Sequence, residues 1–541
     1  MCNLMKNLSI SFIALALAAG ACTPSGKGTF IIRGRVCDSD GKPIAGAVVS
    51  DCRSCVRTDS RGRYSMRSDS VAFVYVSTPS LYKAPTTGAH VDFYKDLTCQ
   101  IPVRNTYRAD FTLERMTGNP EEYTVLLLAD PQPRARERGY DNIAFHSLDC
   151  FDDAVRDVAE YVAGLGDEYC FSMTLGDLVH EDMSLYPAYS DAMDRTGIPA
   201  YGMLGNHDHD RSQADDRTSA GVFESLFGPT YYSFNVGRQH YIVLDNIIMY
   251  PQKPKGQRNY EYGLTDVEWE WLQNDLKFVD KSTTLIISAH QPLFDMKEGD
   301  FLLVDETVHI DDYTALLSQY DRVICWAGHR HHTYNCIYDE PALQHVEQHI
   351  MSRITGALWT NEWANLDGVP RGYGVMKVRG DSLSWIFHPI KYQTVEFLGQ
   401  KRPEYKYRPW DYVDGVAHMK SDGSVLDESY QMNVFAPGAY GDRSVYASIF
   451  MWDSKWQAPV LEVNGQLRPM EMKLMEDKAG AEILDFYKKY DKRLSGRDDY
   501  GRNYETQQNV FRCDVSDLPH GKGTVKVADR FGNVFESDVR W

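Results

Sequence analysis

Ile198-Pro199-Ala200-Tyr201-Gly202-Met203-Leu204 runs directly into Gly205-Asn206-His207-Asp208-His209. The first seven residues read as a strand end. The next five bring glycine freedom and then four side chains in a row that bind metal or move protons. Four similar islands occur elsewhere: Asp130-Pro131-Gln132, Gly176-Asp177, Ser288-Ala289-His290 and Gly328-His329-Arg330-His331.

Each island follows an apolar run. Thr124 to Ala129 is continuous, as for a strand buried on both faces, and Phe171 to Leu175, Thr284 to Ser288 and Val323 to Trp326 behave alike. Between them Phe151, Ala154, Val155, Val158 and Val162 recur at helical spacing, Val267 to Val279 reads as another helix, and Tyr231 to Leu244 as a hairpin turning at Gly237-Arg238. Alternating strands and helices predict a layered α/β domain over 120–380, with the islands past strand C-termini, where open α/β sheets place their sites.

The flanks read differently. Residues 28–116 alternate in period two, with turns at Asp40-Gly41 and Asp59-Ser60-Arg61-Gly62, as in an all-β sandwich. Residues 381–541 return to β and aromatic-rich loops, with strands over 431–436 and 445–453, a helix over 481–490 and a closing hairpin over 523–541. Trp452 and Trp456 are candidates for a carbohydrate site, although such aromatics at strand ends more often fill a core.

A chain of 541 residues exceeds one core. Its formal charge of -19 argues against a nucleic-acid backbone or an anionic membrane face as main partner, but not against a small anion in a locally cationic cleft. Lys6, the apolar run Leu8 to Ala21 and then Cys22 read as a signal segment over 1–22. Small residues before a cysteine resemble a bacterial lipoprotein cleavage site with Cys22 as the lipidated residue; a plain secretory signal is the alternative. Either predicts an exported protein, periplasmic or at the cell surface, touching a membrane only through a lipid anchor. Eleven scattered cysteines make no disulfide scaffold, and Cys52-Arg53-Ser54-Cys55 reads as a local disulfide or two free thiols.

A two-metal site needs carboxylate oxygen, imidazole nitrogen and one carboxylate that bridges ions about 3.5–4 Å apart. The islands supply the set: Asp177 as bridge, Asp130, Gln132 and His331 completing one metal, Asn206, His290 and His329 the other. The ordered motifs resemble the calcineurin-like metallophosphoesterases, whose pattern runs Asp-x-His, Gly-Asp, Gly-Asn-His-Asp/Glu, a lone His and Gly-His-x-His. The resemblance implies a central four-layer β-sandwich flanked by helices, with a prealbumin-like N-terminal sandwich and a C-terminal β-rich domain, as in a bacterial subgroup. It implies two divalent ions (manganese, iron, zinc or similar) and hydrolysis of a phosphate ester, monoester or diester. Gln132 departs from the pattern: an amide oxygen is a poorer ligand than imidazole, which predicts weaker binding beside Asp130 and a shift towards a harder ion.

The expected mechanism is in-line attack by a hydroxide bridging the metals, with His207 protonating the leaving oxygen and Asp208 orienting its ring. His180, Glu181, Asp182, His209 and His332 read either as supports behind the ligands or, the more common case, as solvated loop residues. Arg371 and Tyr373, with Trp359 and Trp363, are the candidate contacts to a small, glycan-linked or lipid-linked phosphate ester. The rival reading is a non-catalytic glycan-binding or structural lipoprotein on the same scaffold.

Overall fold

A computed structural model of the chain describes residues 29–133, 147–253, 258–297, 300–304, 307–338, 343–356, 365, 367–391, 410–413, 417–420, 426–475 and 509–541. The signal segment with Cys22, the helix expected over 481–490, Trp359 and Trp363 lie outside the described residues.

The core begins with β1 (Glu122–Leu128), α1 (Ser147–Gly164), β2 (Tyr169–Thr174), α2 (Tyr186–Asp194) and β3 (Ala200–Gly202). It continues with β4 (Tyr232–Val236), β5 (Gln239–Leu244), α3 (Asp266–Asp275), β6 (Thr284–Ala289) and α4 (Ile310–Leu317). It closes with β7 (Val323–Ala327), β8 (Tyr334–Ile337), β9 (Val346–Ile350), β10 (Gly372–Arg379) and β11 (Ser382–Pro389).

Two sheets result. The first runs β11-β10-β1-β2-β3 and is extended at its edge by His90–Val91 and Thr86–Thr87 from the N-terminal region. The second runs β4-β5-β6-β7-β9-β8. The strand β1 shows why its sequence is apolar throughout. Val125 and Leu127 join the core between the sheets, whereas Leu126 and Leu128 pack with Phe151, Ala154, Val155 and Val158 of α1. The sheets meet through Tyr201 stacked on Phe234 at 4.0 Å and a 2.9 Å bond between the Tyr123 and Tyr241 hydroxyls. On the far side α3 starts at a Thr265 cap and covers the second sheet, with Asp275 2.8 Å from His240. Helix, sheet, sheet and helix make the four layers.

The N-terminal region is a β-sandwich. Phe30–Asp38 pairs with Arg63–Ser68, Thr106–Arg108 and Phe111–Arg115, opposite a sheet built on Val48–Ser50 and Phe73–Ser77. It docks on the core through Trp271 Nε1 donating to Tyr75 Oη at 2.8 Å and Tyr231 Oη donating to the Cys52 carbonyl at 2.7 Å. Cys52 and Cys55 are both free thiols. The C-terminal domain holds two four-stranded sheets among the described residues, and its last hairpin pairs Lys522–Ala528 with Val534–Arg540. Trp452 packs edge-on against Phe511 at 5.1 Å and Trp456 stacks on Phe535 at 5.9 Å, so both belong to that domain's core. Among the described residues no helix is long and apolar enough to cross a membrane.

Candidate metal centre

The strands β1, β2 and β3 are parallel, as are β6, β7 and β9, so their C-terminal ends open on one edge of the two sheets. That shared direction delivers Asp130, Asp177, Asn206, His290, His329 and His331 to one place from positions spread over two hundred residues. Asp130, Gln132, Asp177, His329 and His331 all have positive φ, between 42° and 65°. Each such non-glycine residue costs about 1–3 kcal/mol and persists only where its surroundings hold it. Gly205 and Gly328 leave the room this needs: a Cβ on the first would overlap the Asp177 backbone and carboxylate, and one on the second the Asp130 carboxylate.

The seven candidate ligands converge. His290 Nε2 lies 3.3 Å from Asp177 Oδ2 and 3.1 Å from Asn206 Oδ1. His329 Nδ1 lies 2.8 Å from the same Asn206 oxygen and 3.3 Å from His290 Nε2. His331 Nε2 is 3.3 Å from Asp130 Oδ1 and 3.2 Å from Gln132 Nε2, and Gln132 Nε2 also meets Asp177 Oδ2. The ligating atoms of Asp130, Asp177 and His290 all lie within 4.8 Å of one another.

One detail tests whether this group fits a cation. His290 Nδ1 lies 2.8 Å from the Leu175 carbonyl, which can only accept, so Nδ1 carries the proton. In the neutral ring Nε2 is then a bare lone pair facing two more acceptors, the oxygens of Asn206 and Asp177. Three lone pairs converging on one point require positive charge there. The ring's titration fits the same need: burial disfavours its charge, yet Asp177, Asp130 and the Leu175 carbonyl hold its pKa up to about 9, so where no metal cation sits a proton fills that point. Burial also works against the Asp177 charge, but His290 and His207 hold its carboxyl well below the usual range. Burial and the cationic neighbours His290 and Arg330 keep His329 neutral, the form in which imidazole binds metal. The residues present therefore fit a pair of divalent cations, with Gln132 contributing only an amide.

Around this group the structure departs from expectation. Asp208 does not orient His207. Its carboxylate accepts from the backbone N–H groups of Leu178, Val179 and Gly205 at 3.0, 3.1 and 2.9 Å, and from Tyr186 Oη at 3.2 Å. It ties the Gly-Asp loop to the Gly-Asn-His loop, because its side chain turns into the protein while that of His207 turns out. The residue facing His207 is Glu181, with Oε1 3.3 Å from Nδ1 and 2.8 Å from Arg211 Nη1. Its positive φ of 55° fixes the backbone turn there, while the carboxylate stays exposed, as expected of a loop residue.

Arg371 and Tyr373 do not reach the centre either. Arg371 is 1% exposed and donates to the Cys150 carbonyl at 3.1 Å beside Asp153 at 3.4 Å, while the buried Tyr373 donates to Asp157 at 2.9 Å. Strand alternation turns both side chains onto α1, on the helix face of the first sheet. A different surface lines the centre: Tyr262 Oη lies 3.3 Å from His329 Nε2, and the exposed Arg258 guanidinium sits 3.9 Å above the Tyr262 ring and 5.1 Å from that of Tyr260. Tyr260 to Tyr262 alternate before a glycine in a plain strand pattern, so no motif announced them.

Arg353 was also silent in sequence. Fully buried just past β9, it donates from Nε to the Asp130 carbonyl and from Nη2 to the Gln132 carbonyl, each at 3.1 Å. It clamps the left-handed loop that carries both side chains.

Comparison with known proteins places this architecture. The family model described as calcineurin-like phosphoesterase matches residues 123–333, that for the N terminal of calcineurin-like phosphoesterase matches 30–116, and that for the C terminal matches 348–535. The chain belongs to the calcineurin-like metallophosphoesterases, a class of metal-dependent hydrolases of phosphoric esters. Within that class it carries the dedicated N- and C-terminal accessory domains, and membership implies a two-metal centre. It is 24% identical over 246 residues to purple acid phosphatase 13 of Arabidopsis thaliana, spanning 42% of this chain and 42% of that protein, less than half the relative's length. Among solved structures it is similar to the purple acid phosphatase PPD1 of yellow lupin (Lupinus luteus) at 11% identity and a TM-score of 0.35, covering 67% of this chain and 94% of that one. It is also similar to a dimetal phosphatase of Danio rerio at 13% identity and a TM-score of 0.34, covering 49% and 95%.

Proposed function

We propose that this chain hydrolyses a phosphate ester, monoester or diester, at the centre just described. The observation that carries the reading is the convergence of His290 Nε2 with the Asn206 and Asp177 oxygens on one point that needs positive charge, while Nδ1 is committed to the Leu175 carbonyl. Asp130, Gln132, His331 and the shared Asp177 would hold one ion; Asn206, His290, His329 and Asp177 the other. Bound there, two divalent cations polarise the phosphoryl oxygens and make an adjacent water more acidic.

The chain's own groups do the rest. Asp177, kept ionised, balances part of the cationic charge and leaves an excess that attracts a phosphate despite an acidic protein. His207, anchored by its N–H to Asp177 Oδ1 at 2.8 Å, keeps its ring beside the centre without being a ligand. It gives a proton to the leaving oxygen, with the Glu181 carboxylate 3.3 Å from its Nδ1. Arg258, Tyr260 and Tyr262 form the wall against which the alcohol portion of the ester rests.

Lys6, the apolar run to Ala21 and Cys22 support export and anchoring as a lipoprotein of the bacterial subgroup type, which sets phosphorylated glycans, lipid head groups or extracellular nucleotides as the substrates to try. Protein stripped of metal and reloaded with manganese, zinc, iron or nickel should hydrolyse aryl phosphate mono- or diesters, and Asp177→Asn should abolish this. Inactivity of every loaded form on every ester refutes the reading.

A further inference from the structure

Beside the metal centre lies a second group of ligating side chains that the proposed reaction does not need as ligands. A ring nitrogen of His180, a carboxylate oxygen of Glu181 and a ring nitrogen of His207 all lie within 4.8 Å of one another. The two imidazoles face each other with ring centroids 4.0 Å apart; both are half-buried, and Glu181 lies at the exposed side. The 3.3 Å between His207 Nδ1 and Glu181 Oε1 equals the separation of two ligands on a tetrahedral ion at about 2.0–2.1 Å. Backbone bonds fix the three relative to one another: Glu181 N–H donates to the His207 carbonyl at 3.0 Å and His180 N–H to that of Pro133 at 3.3 Å.

Two imidazoles and a carboxylate with one side open to solvent are a donor set suited to an exchangeable zinc ion. We propose that His180, Glu181 and His207 form a third, weaker divalent-cation site, suited to zinc, through which excess metal switches the enzyme off. The proposal rests on the reading of His207 as the group that protonates the leaving oxygen. A ring whose Nδ1 is bound to zinc is pinned by the ion and no longer turns to the leaving oxygen. The competitor is Arg211, 2.8 Å from Glu181 Oε1. That pair is more than a third exposed on both sides and so weak enough for a divalent ion to displace. The same contact makes the site weaker than the buried centre, which fills first.

The test is zinc titration of the metal-free protein, followed by calorimetry and by hydrolysis of an alkyl phosphate, whose leaving oxygen needs a proton. Wild type should take up two zinc ions tightly with rising activity, then a third more weakly with a loss approaching about a hundredfold, the scale of a lost proton donor. His180→Ala and the size-conserving His180→Gln should bind two ions and keep the activation while losing the inhibition. Arg211→Ala should move the inhibitory phase to lower zinc. Two ions only in wild type, or inhibition that survives both His180 variants, overturns the proposal. Because the third binding event is read by heat, a protein inactive at all zinc levels would refute the phosphoesterase reading and leave the site itself still measured.

Discussion

Glu181 Oε1 stands 3.3 Å from Nδ1 of His207, the place that Asp208 was expected to fill. If the proposed reaction uses the outward ring as proton donor, the pairing gives separate outcomes for the two residues. His207→Ala is expected to lower kcat by about 10²–10⁴-fold on an alkyl phosphate, whose leaving oxygen needs a proton, and far less on p-nitrophenyl phosphate. Glu181→Gln keeps the ring but loosens it, with a loss of about tenfold and little change in KM. Steady-state kinetics on the two esters check both; equal losses on both esters for His207→Ala would remove it as proton donor.

Arg353 binds the two carbonyls that flank Pro131 and so holds Asp130 and Gln132 in left-handed backbone. Arg353→Met removes charged donors from buried acceptors and should cost about 3 kcal/mol or more of stability. It should also weaken the ion beside Asp130 more than the one beside His290. Denaturant unfolding and metal titration measure the two effects, and unchanged affinity at both sites would show that the loop holds its shape without the clamp.

Gln132 meets both Asp177 and His331, so it already stands in the ligand ring with an amide where imidazole would bind more strongly. Gln132→His should tighten one of the two ions by on the order of tenfold, about 1.4 kcal/mol, and leave the other unchanged. Stepwise calorimetric titration reads it directly. Equal affinities in both proteins would mean that the side chain at this position does not set occupancy.

Arg258 lies over Tyr262 next to His329. Arg258→Ala should raise KM several-fold, on the order of 1 kcal/mol, for esters with an anionic alcohol portion, with kcat held. A fall in kcat at constant KM would place Arg258 in the chemistry instead of the binding wall.

His388 links α1 to the C-terminal domain, with Nε2 3.0 Å from Asp157 and Nδ1 3.4 Å from Glu428. Burial alone would lower its pKa, but the bonds and charges of the two carboxylates raise it to about 9. A folded value above the unfolded value of about 6.5 stabilises fully below that pH and loses its effect as pH climbs through 9. Between these limits wild type should lose up to about 3 kcal/mol of stability, and His388→Gln should show a flatter curve. Unfolding midpoints at pH 6 and pH 9.5 decide it; identical slopes would exclude His388 as the source.

Much of the centre was legible because its chemistry is local. A glycine before Asp177 and Asn206, and a run of ligating side chains after each buried strand, follow from close approach and from donor type, both of which one-dimensional order preserves. The helix α1 was legible for a similar reason, since Phe151, Ala154, Val155 and Val158 must repeat at helical spacing to reach Leu126 and Leu128. Arg371 and Tyr373 misled because a Gly/Pro-rich loop after the last motif looks open, while the face onto which a strand turns its side chains depends on register with β1 and β11.

The order of the chain thus determined the layered α/β core, its β-rich flanks and the residue types that gather at the strand ends, because hydrophobic period and ligand chemistry are properties of neighbours in sequence. Only the tertiary structure decided that Glu181 faces His207, that Asp208 staples two loops, and that Arg353 grips Asp130 from more than two hundred residues away. Such partnerships are fixed by where side chains point once both sheets have packed, and a hydrogen bond across that distance leaves no periodic trace in either segment.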